Sequence, residues 1–250
     1  MGAEEARRTG ELPILGLLAD VCRIYARHWR VLVPLALVVL IPQGAGELLA
    51  LGIDLDGNVD FEKGALAVVT GAAIVATNLA GEALYAALIT ALVVAWSNGM
   101  ERPPLGRTLR ELPLLRLIAA DLLLVLGTVL GLLLLIIPGI LFAVYTVSTT
   151  VIIELEDASI RQAFKRSIDL VRGSLLRVLV ITSIVILGTE SFTLAANEIG
   201  HHSAIDGALH LAVETVLEPI QGLAIVLITL GLIALKGEPA PQLGTERPRQ

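Results

Sequence analysis

Apolar residues gather along this chain in six blocks, each near the ~20 residues of helix needed to cross a bilayer. They are 31–51, 64–97, 117–137, 139–155, 174–196 and 208–235. The block 64–97 is the longest. It reads as one tilted helix or as two short ones broken near Gly81. Two spans would carry Arg102, Arg107, Arg110 and Arg116 to the side opposite the N-terminal arginines. One span keeps all of them together, so a single helix is expected. Between the third and fourth blocks stand only Pro138 and Gly139. Proline ends a helix and glycine permits a reversal, which predicts a tight turn there.

Three shorter segments, 11–30, 105–116 and 159–172, are amphipathic with a helical period. In the first, Asp20, Arg23, Arg27 and Arg30 fall on one face, largely opposite Leu17, Leu18, Val21, Tyr25 and Trp29. In the second, Arg107, Arg110 and Glu111 oppose Leu105, Leu109 and Leu112. In the third, Ile160, Phe164, Ile168 and Val171 form a stripe beside Arg161, Lys165, Asp169 and Arg172. Ser159 with Gln162 fits a capping box at its start. Such helices are expected to lie in the headgroup layer of the membrane. Each precedes two spans, so the plan reads as interfacial helix, span, span, used three times. Arg30-Val-Leu-Val and Arg177-Val-Leu-Val stand at equivalent entries of the first and third units.

The expected fold is all-α: a polytopic membrane protein of six transmembrane helices and three interfacial ones. Residues 1–236 form one integral membrane domain, followed by a disordered tail over 237–250. A chain 55% hydrophobic over 250 residues, with mean hydropathy +0.81, leaves too little polar surface for a water-soluble domain. Of 18 Lys and Arg, all but Lys63 fall on one side of the six-span arrangement. The positive-inside rule then puts both termini in the cytoplasm, and the cell membrane is the expected location. The net charge of −6 gives no support for nucleic-acid binding, because the basic residues cluster at span ends. No removable signal peptide is expected, since the first ten residues are polar and no short apolar stretch with a cleavage site follows. The single cysteine, Cys22, excludes an internal disulfide and reads as a small buried apolar residue.

Several polar residues interrupt the spans. Glu82 lies near the middle of the second and Glu190 in the outer part of the fifth. On the sixth, His210, Glu214 and Glu218 recur every fourth residue, with Gln221 on the same side, so one helical face is polar. An acid at mid-bilayer costs about 2.5–3.5 kcal/mol on insertion scales. These side chains therefore either line a wet cavity between the fifth and sixth spans or hydrogen-bond between helices. Asp121, four residues into its span, is expected to reach back to the interface. Arg23, Arg27, Arg30, Arg161, Lys165, Arg166 and Arg172 are placed for contact with anionic lipid headgroups, each worth about 1 kcal/mol near such a surface. The same charges also serve simply to anchor topology. His201, His202, His210 and Glu198 lack the spacing of a metal site, and a solvated loop is expected there. No nucleophile with a base beside it can be named, so no catalytic residue, cofactor or metal is expected.

From about residue 134 to 178 the chain carries a pattern: Ile137-Pro138-Gly139-Ile140, then Glu156, Ala163, Lys165-Arg166-Ser167, Leu170 and Arg172-Gly173. It resembles the membrane domain named after the glycerophosphoryl diester phosphodiesterases to which it is sometimes fused. The resemblance implies a stand-alone multi-span bacterial membrane protein, with Pro138, Gly139, Glu156, Ala163, Arg166, Ser167 and Gly173 as its motif. Gly173 would cap the interfacial helix. The end of the last span, Leu235-Lys236-Gly237, departs from the acidic-Leu-Arg ending that the resemblance implies. The phosphodiesterase activity belongs to a separate soluble barrel with a His-Arg-Gly segment, which this sequence lacks. The expected role is thus a non-enzymatic one, organising lipids (anionic ones foremost) or a membrane-protein partner at the inner leaflet. The alternative is a small transporter or permease that uses the acidic cavity.

Overall fold

The computed structural model describes residue 6 and residues 10–51, 80–100, 112–199 and 204–238. Eight helices position everything that follows: α1 (Ile14–Leu51), α2 (Ala80–Ser97), α3 (Leu114–Leu134), α4 (Ile136–Thr146), α5 (Thr149–Glu156), α6 (Ile160–Val171), α7 (Leu175–Ile199) and α8 (Ala204–Leu235). Among the described residues, six stretches are long and apolar enough to cross a membrane, with α4 and α5 together forming one of them. The chain is an all-α, multi-pass membrane protein.

Two helices form the centre. Along α2, Ala83, Tyr85 and the run from Ala87 to Ala95 are buried. α8 packs against α2 where Gly222 faces Ile89; a Cβ there would stand 2.7 Å from the isoleucine Cδ1, so glycine sets the approach of the two helices. α8 also runs antiparallel to α1. The segment leading into α1 places Leu12 against Gly231, and further along the Tyr25 hydroxyl donates to the Val216 carbonyl at 2.9 Å. α3 lies at the periphery. Leu133 and Leu134 are 78% and 79% exposed at the end of a largely exposed apolar helix. Burying one such side chain is worth about 1.5–3 kcal/mol, so this face is stable against lipid tails and not against water.

The structure departs from the sequence expectations at four places. The segment 11–30 is no separate interfacial helix: α1 runs without a break from Ile14 through Arg30-Val31. From Leu17 to Val31 no glycine or proline interrupts the helix, and it packs against α8. Arg30 is therefore inside a helix, whereas Arg177 follows a turn, and the two Arg-Val-Leu-Val entries are not locally equivalent. The reversal between α3 and α4 falls at Leu135, in extended conformation (φ −163°, ψ 140°), rather than at Pro138-Gly139. Pro138 sits in the first turn of α4, where its missing N–H is tolerated. Gly139 meets α3 instead: its Cβ would stand 2.6 Å from the Leu132 backbone nitrogen. Third, Gly173 is not a left-handed cap. α6 ends through Arg172 in right-handed geometry, with the Ser174 N–H donating to the Val171 carbonyl at 2.8 Å, and a side chain at Gly173 would meet nothing within 4 Å. Fourth, Cys22 is exposed rather than buried.

Of the remaining expectations, the amphipathic helix at 159–172 stands as α6, opened by its capping box: the Ser159 N–H donates to Gln162 Oε1 at 3.1 Å. Most of 105–116, the start of the long second block, the loop holding His201 and His202, and the tail from 239 onward lie outside the described residues.

Candidate functional site

α7 and α8 face each other with polar side chains inside the membrane-spanning part. A pocket of about 270 Å³ lies between them, lined by Thr189, Glu190 and Thr193 of α7 and by Glu214, Glu218 and Gln221 of α8. The i, i+4 spacing of Glu214 and Glu218, continued by Gln221, turns this face toward α7. The two helices are joined across the pocket: Gln221 Nε2 donates to Thr189 Oγ1 at 2.8 Å. The Thr189 hydroxyl in turn donates to its own helix, 3.0 Å from the carbonyls of Val185 and Ile186. Its lone pairs are thereby aimed at the glutamine, which fixes one wall.

The acids extend beyond the pocket. Glu82 of α2, Glu190 and Glu214 all lie within electrostatic reach of Glu218. Asp121 of α3 lies within reach of Glu82. Four carboxyls from three helices thus lie near one another, with Asp121 near Glu82 alone. Thr189 and Thr193 were missed, because threonines in an apolar run ordinarily bond back to their own helix and carry no outward signal. The predicted set Glu190, Glu214, Glu218 and Gln221 is brought together, and Glu82 joins it through charge. The His210 side chain lies outside the described residues.

At the other end of the bundle, where α1, α3 and α7 begin and α2 and α8 finish, the basic residues divide into two groups. Arg166 of α6 is held by two carboxylates, Glu156 at the end of α5 (3.4 Å) and Glu238 just past α8. Burial opposes its charge, and the hydrogen bond it donates to Glu238 together with the nearby Glu156 charge more than offsets this, so its guanidinium is held above the ordinary value. Arg23 pairs with Asp20 one turn away, and Arg116 with Asp157 at 2.7 Å. Arg177 reaches Glu11 at 2.5 Å. Arg27, Arg161, Lys165 and Arg172 are exposed, as is Arg30, whose guanidinium lies over the Trp29 ring at 5.6 Å. Of the seven residues expected at lipid headgroups, Arg23 and Arg166 are thus engaged internally.

Several motif residues pack α6 against its neighbours. Ala163 and Ser167 are fully buried, and the Ser167 hydroxyl donates to the Tyr145 carbonyl at 2.8 Å, fastening α6 beneath α4. With Glu156–Arg166 and the Gly139 contact, they lock α4, α5 and α6 into one unit.

Fold and pocket define a polytopic helical membrane protein with a polar, acid-rich site between its last two spans. The chain belongs to the family described as a domain of unknown function (DUF7847), which matches residues 106–237. That range takes in α3 to α8, and with them the α7–α8 pocket and the Arg166 ties, but not Glu82 or α1. Nothing in the match names the phosphodiesterase-associated membrane domain. No curated protein and no solved structure matches the chain.

Proposed function

We propose that the protein is a small transporter or permease that binds a cation, a proton or a positively charged solute at the α7–α8 pocket. The observation that carries this reading is the pocket itself, where three glutamates and a fixed glutamine amide line a cavity at membrane depth. Ionisable groups within spans are costly to insert and mark ion and solute pathways by default. Glu82 of α2 lies within electrostatic reach of the pocket's Glu218, which adds a further acid near it. The test is flux in sealed proteoliposomes loaded with a pH-sensitive dye, under an imposed membrane potential. Wild-type protein is expected to conduct protons or exchange them for a cation, and the double variant Glu214→Gln, Glu218→Gln to lose this while keeping its helical content. Wild-type flux no greater than that of empty vesicles, across a panel of monovalent cations, overturns the reading.

The exposed basic face of α6 favours a second reading, the organising of anionic lipids or a partner protein at the inner leaflet. Arg161, Lys165 and Arg172 project from a helix whose other face is buried by Ala163, Leu170 and Val171. Under both readings the protein is non-enzymatic, lies in the cell membrane and keeps both termini in the cytoplasm. Kinship with the phosphodiesterase-associated membrane domains belongs to the same proposal, supported by the motif from Ile137 to Gly173.

A further inference from the structure

A second recess opens at the Arg-rich end of the bundle, far from the acids. It measures about 350 Å³ and lies between the first half of α1, the end of α2 and the last turns of α8. Asp20, Arg23, Arg27 and His28 line it from α1 and Trp96 from α2, with Leu227 and Leu230 contributing apolar surface from α8. Among the described residues that line the recess, charge does not balance. Arg23 and Asp20 pair and largely cancel, whereas Arg27 has no ion pair among the described residues. One uncompensated guanidinium therefore faces the space. The His28 ring is stacked on the Trp96 indole, centroids 3.9 Å apart and planes 12° from parallel. Stacking occupies the ring face and fixes its plane, which leaves the edge nitrogens for an anion's oxygens.

Depth identifies the class of ligand. Trp96 adjoins the end of α2 at Ser97, and Leu230 is five residues short of the end of α8. At 1.5 Å per residue Leu230 lies about 8 Å and Leu227 about 12 Å from the end of α8, with Trp96 at the end of α2. That is the headgroup–acyl boundary, into which interfacial apolar groups sink about 5–10 Å. We propose that this recess is a binding site for an anionic phospholipid. Arg27 and His28 hold the phosphodiester, the indole flanks the glycerol region, and an acyl chain leaves along the apolar wall. A guanidinium matches phosphate oxygens in two-pronged geometry, and the unbalanced charge disfavours a headgroup that carries its own cation. The proposal deepens the lipid-organising reading and is independent of transport.

The chain has two tryptophans, so the variant Trp29→Phe leaves Trp96 as sole reporter inside the recess. The full-length protein in neutral detergent is titrated with short-chain phosphatidylglycerol, short-chain phosphatidylcholine and inorganic phosphate. Phosphatidylglycerol alone is expected to give a saturable change in Trp96 emission. Arg27→Gln is expected to weaken it about tenfold or more, since a charge-assisted contact is lost. His28→Gln, a second variant that leaves the helix charge intact, is expected to weaken it less. An equal response to phosphatidylcholine, a response to inorganic phosphate at the same concentrations, or no effect of either variant overturns the site. The control is Arg161→Gln, Lys165→Gln on α6. If that pair abolishes lipid retention while Arg27→Gln does not, the organising reading survives and this recess does not. If no variant alters retention of phosphatidylglycerol, both fail.

Discussion

Arg166 shows how one side chain changes meaning between sequence and structure. In the sequence it is one of a row of cations on α6. In the fold it ties the end of α5 to the segment following α8 through Glu156 and Glu238, on a guanidinium only 29% exposed. Half-buried pairs of this kind contribute on the order of 1 kcal/mol once solvent screening is allowed for. Arg166→Gln is therefore expected to lower the thermal midpoint in detergent by a few degrees. Arg161→Gln, five residues away on the same helix and exposed, should leave it unchanged. Equal midpoints for the two variants would show that the tie adds no stability. The identity of the pair was unreadable in advance, because Glu238 is 72 positions away and no local period links them.

Among elements, the α3–α4 hairpin carries the sharpest steric constraint. A Cβ on Gly131 would stand 2.7 Å from the Gly139 Cα, and one on Gly139 as close to the Leu132 backbone. Backbone cannot yield as a side-chain tip can. Gly139→Ala should force the helices apart at a cost of about 1–3 kcal/mol, visible as a lower midpoint or reduced yield of folded protein. Gly173→Ala, at an open turn, should cost nothing measurable. The sequence marked both glycines through their motif but assigned both the wrong task. Turn chemistry is what Pro-Gly ordinarily signals, and close approach is a property of two helices that sequence reading treats one at a time. The six spans were legible because lipid imposes long apolar runs on each helix separately. The four-residue recurrence of acids on α8 was legible for the same reason, being a period within one helix. Thr189 was not, since its partner Gln221 lies on another helix.

For the molecule as a whole, the charge distribution makes a statement about sidedness that chemistry can check. Gly173 lies in the exposed turn between α6 and α7, and Cys22 is the sole cysteine. A Gly173→Cys protein in a Cys22→Ser background should react with a membrane-impermeant maleimide in inverted vesicles and stay unlabelled in intact cells. Labelling in intact cells would reverse the orientation assigned from the positive residues.

The unbroken α1 also has a consequence for how the molecule sits in its bilayer. Its 38 residues make a rod of about 57 Å, against a hydrocarbon layer of about 30 Å. Even at about 40°, the upper end of observed tilts, the layer hides only about 39 Å of it. About a third of the rod must stand outside the oily slab, so α1 is mismatched to any ordinary membrane. The part held against α8, where the Tyr25 hydroxyl donates to the Val216 carbonyl, fixes how much of the rod is left to project.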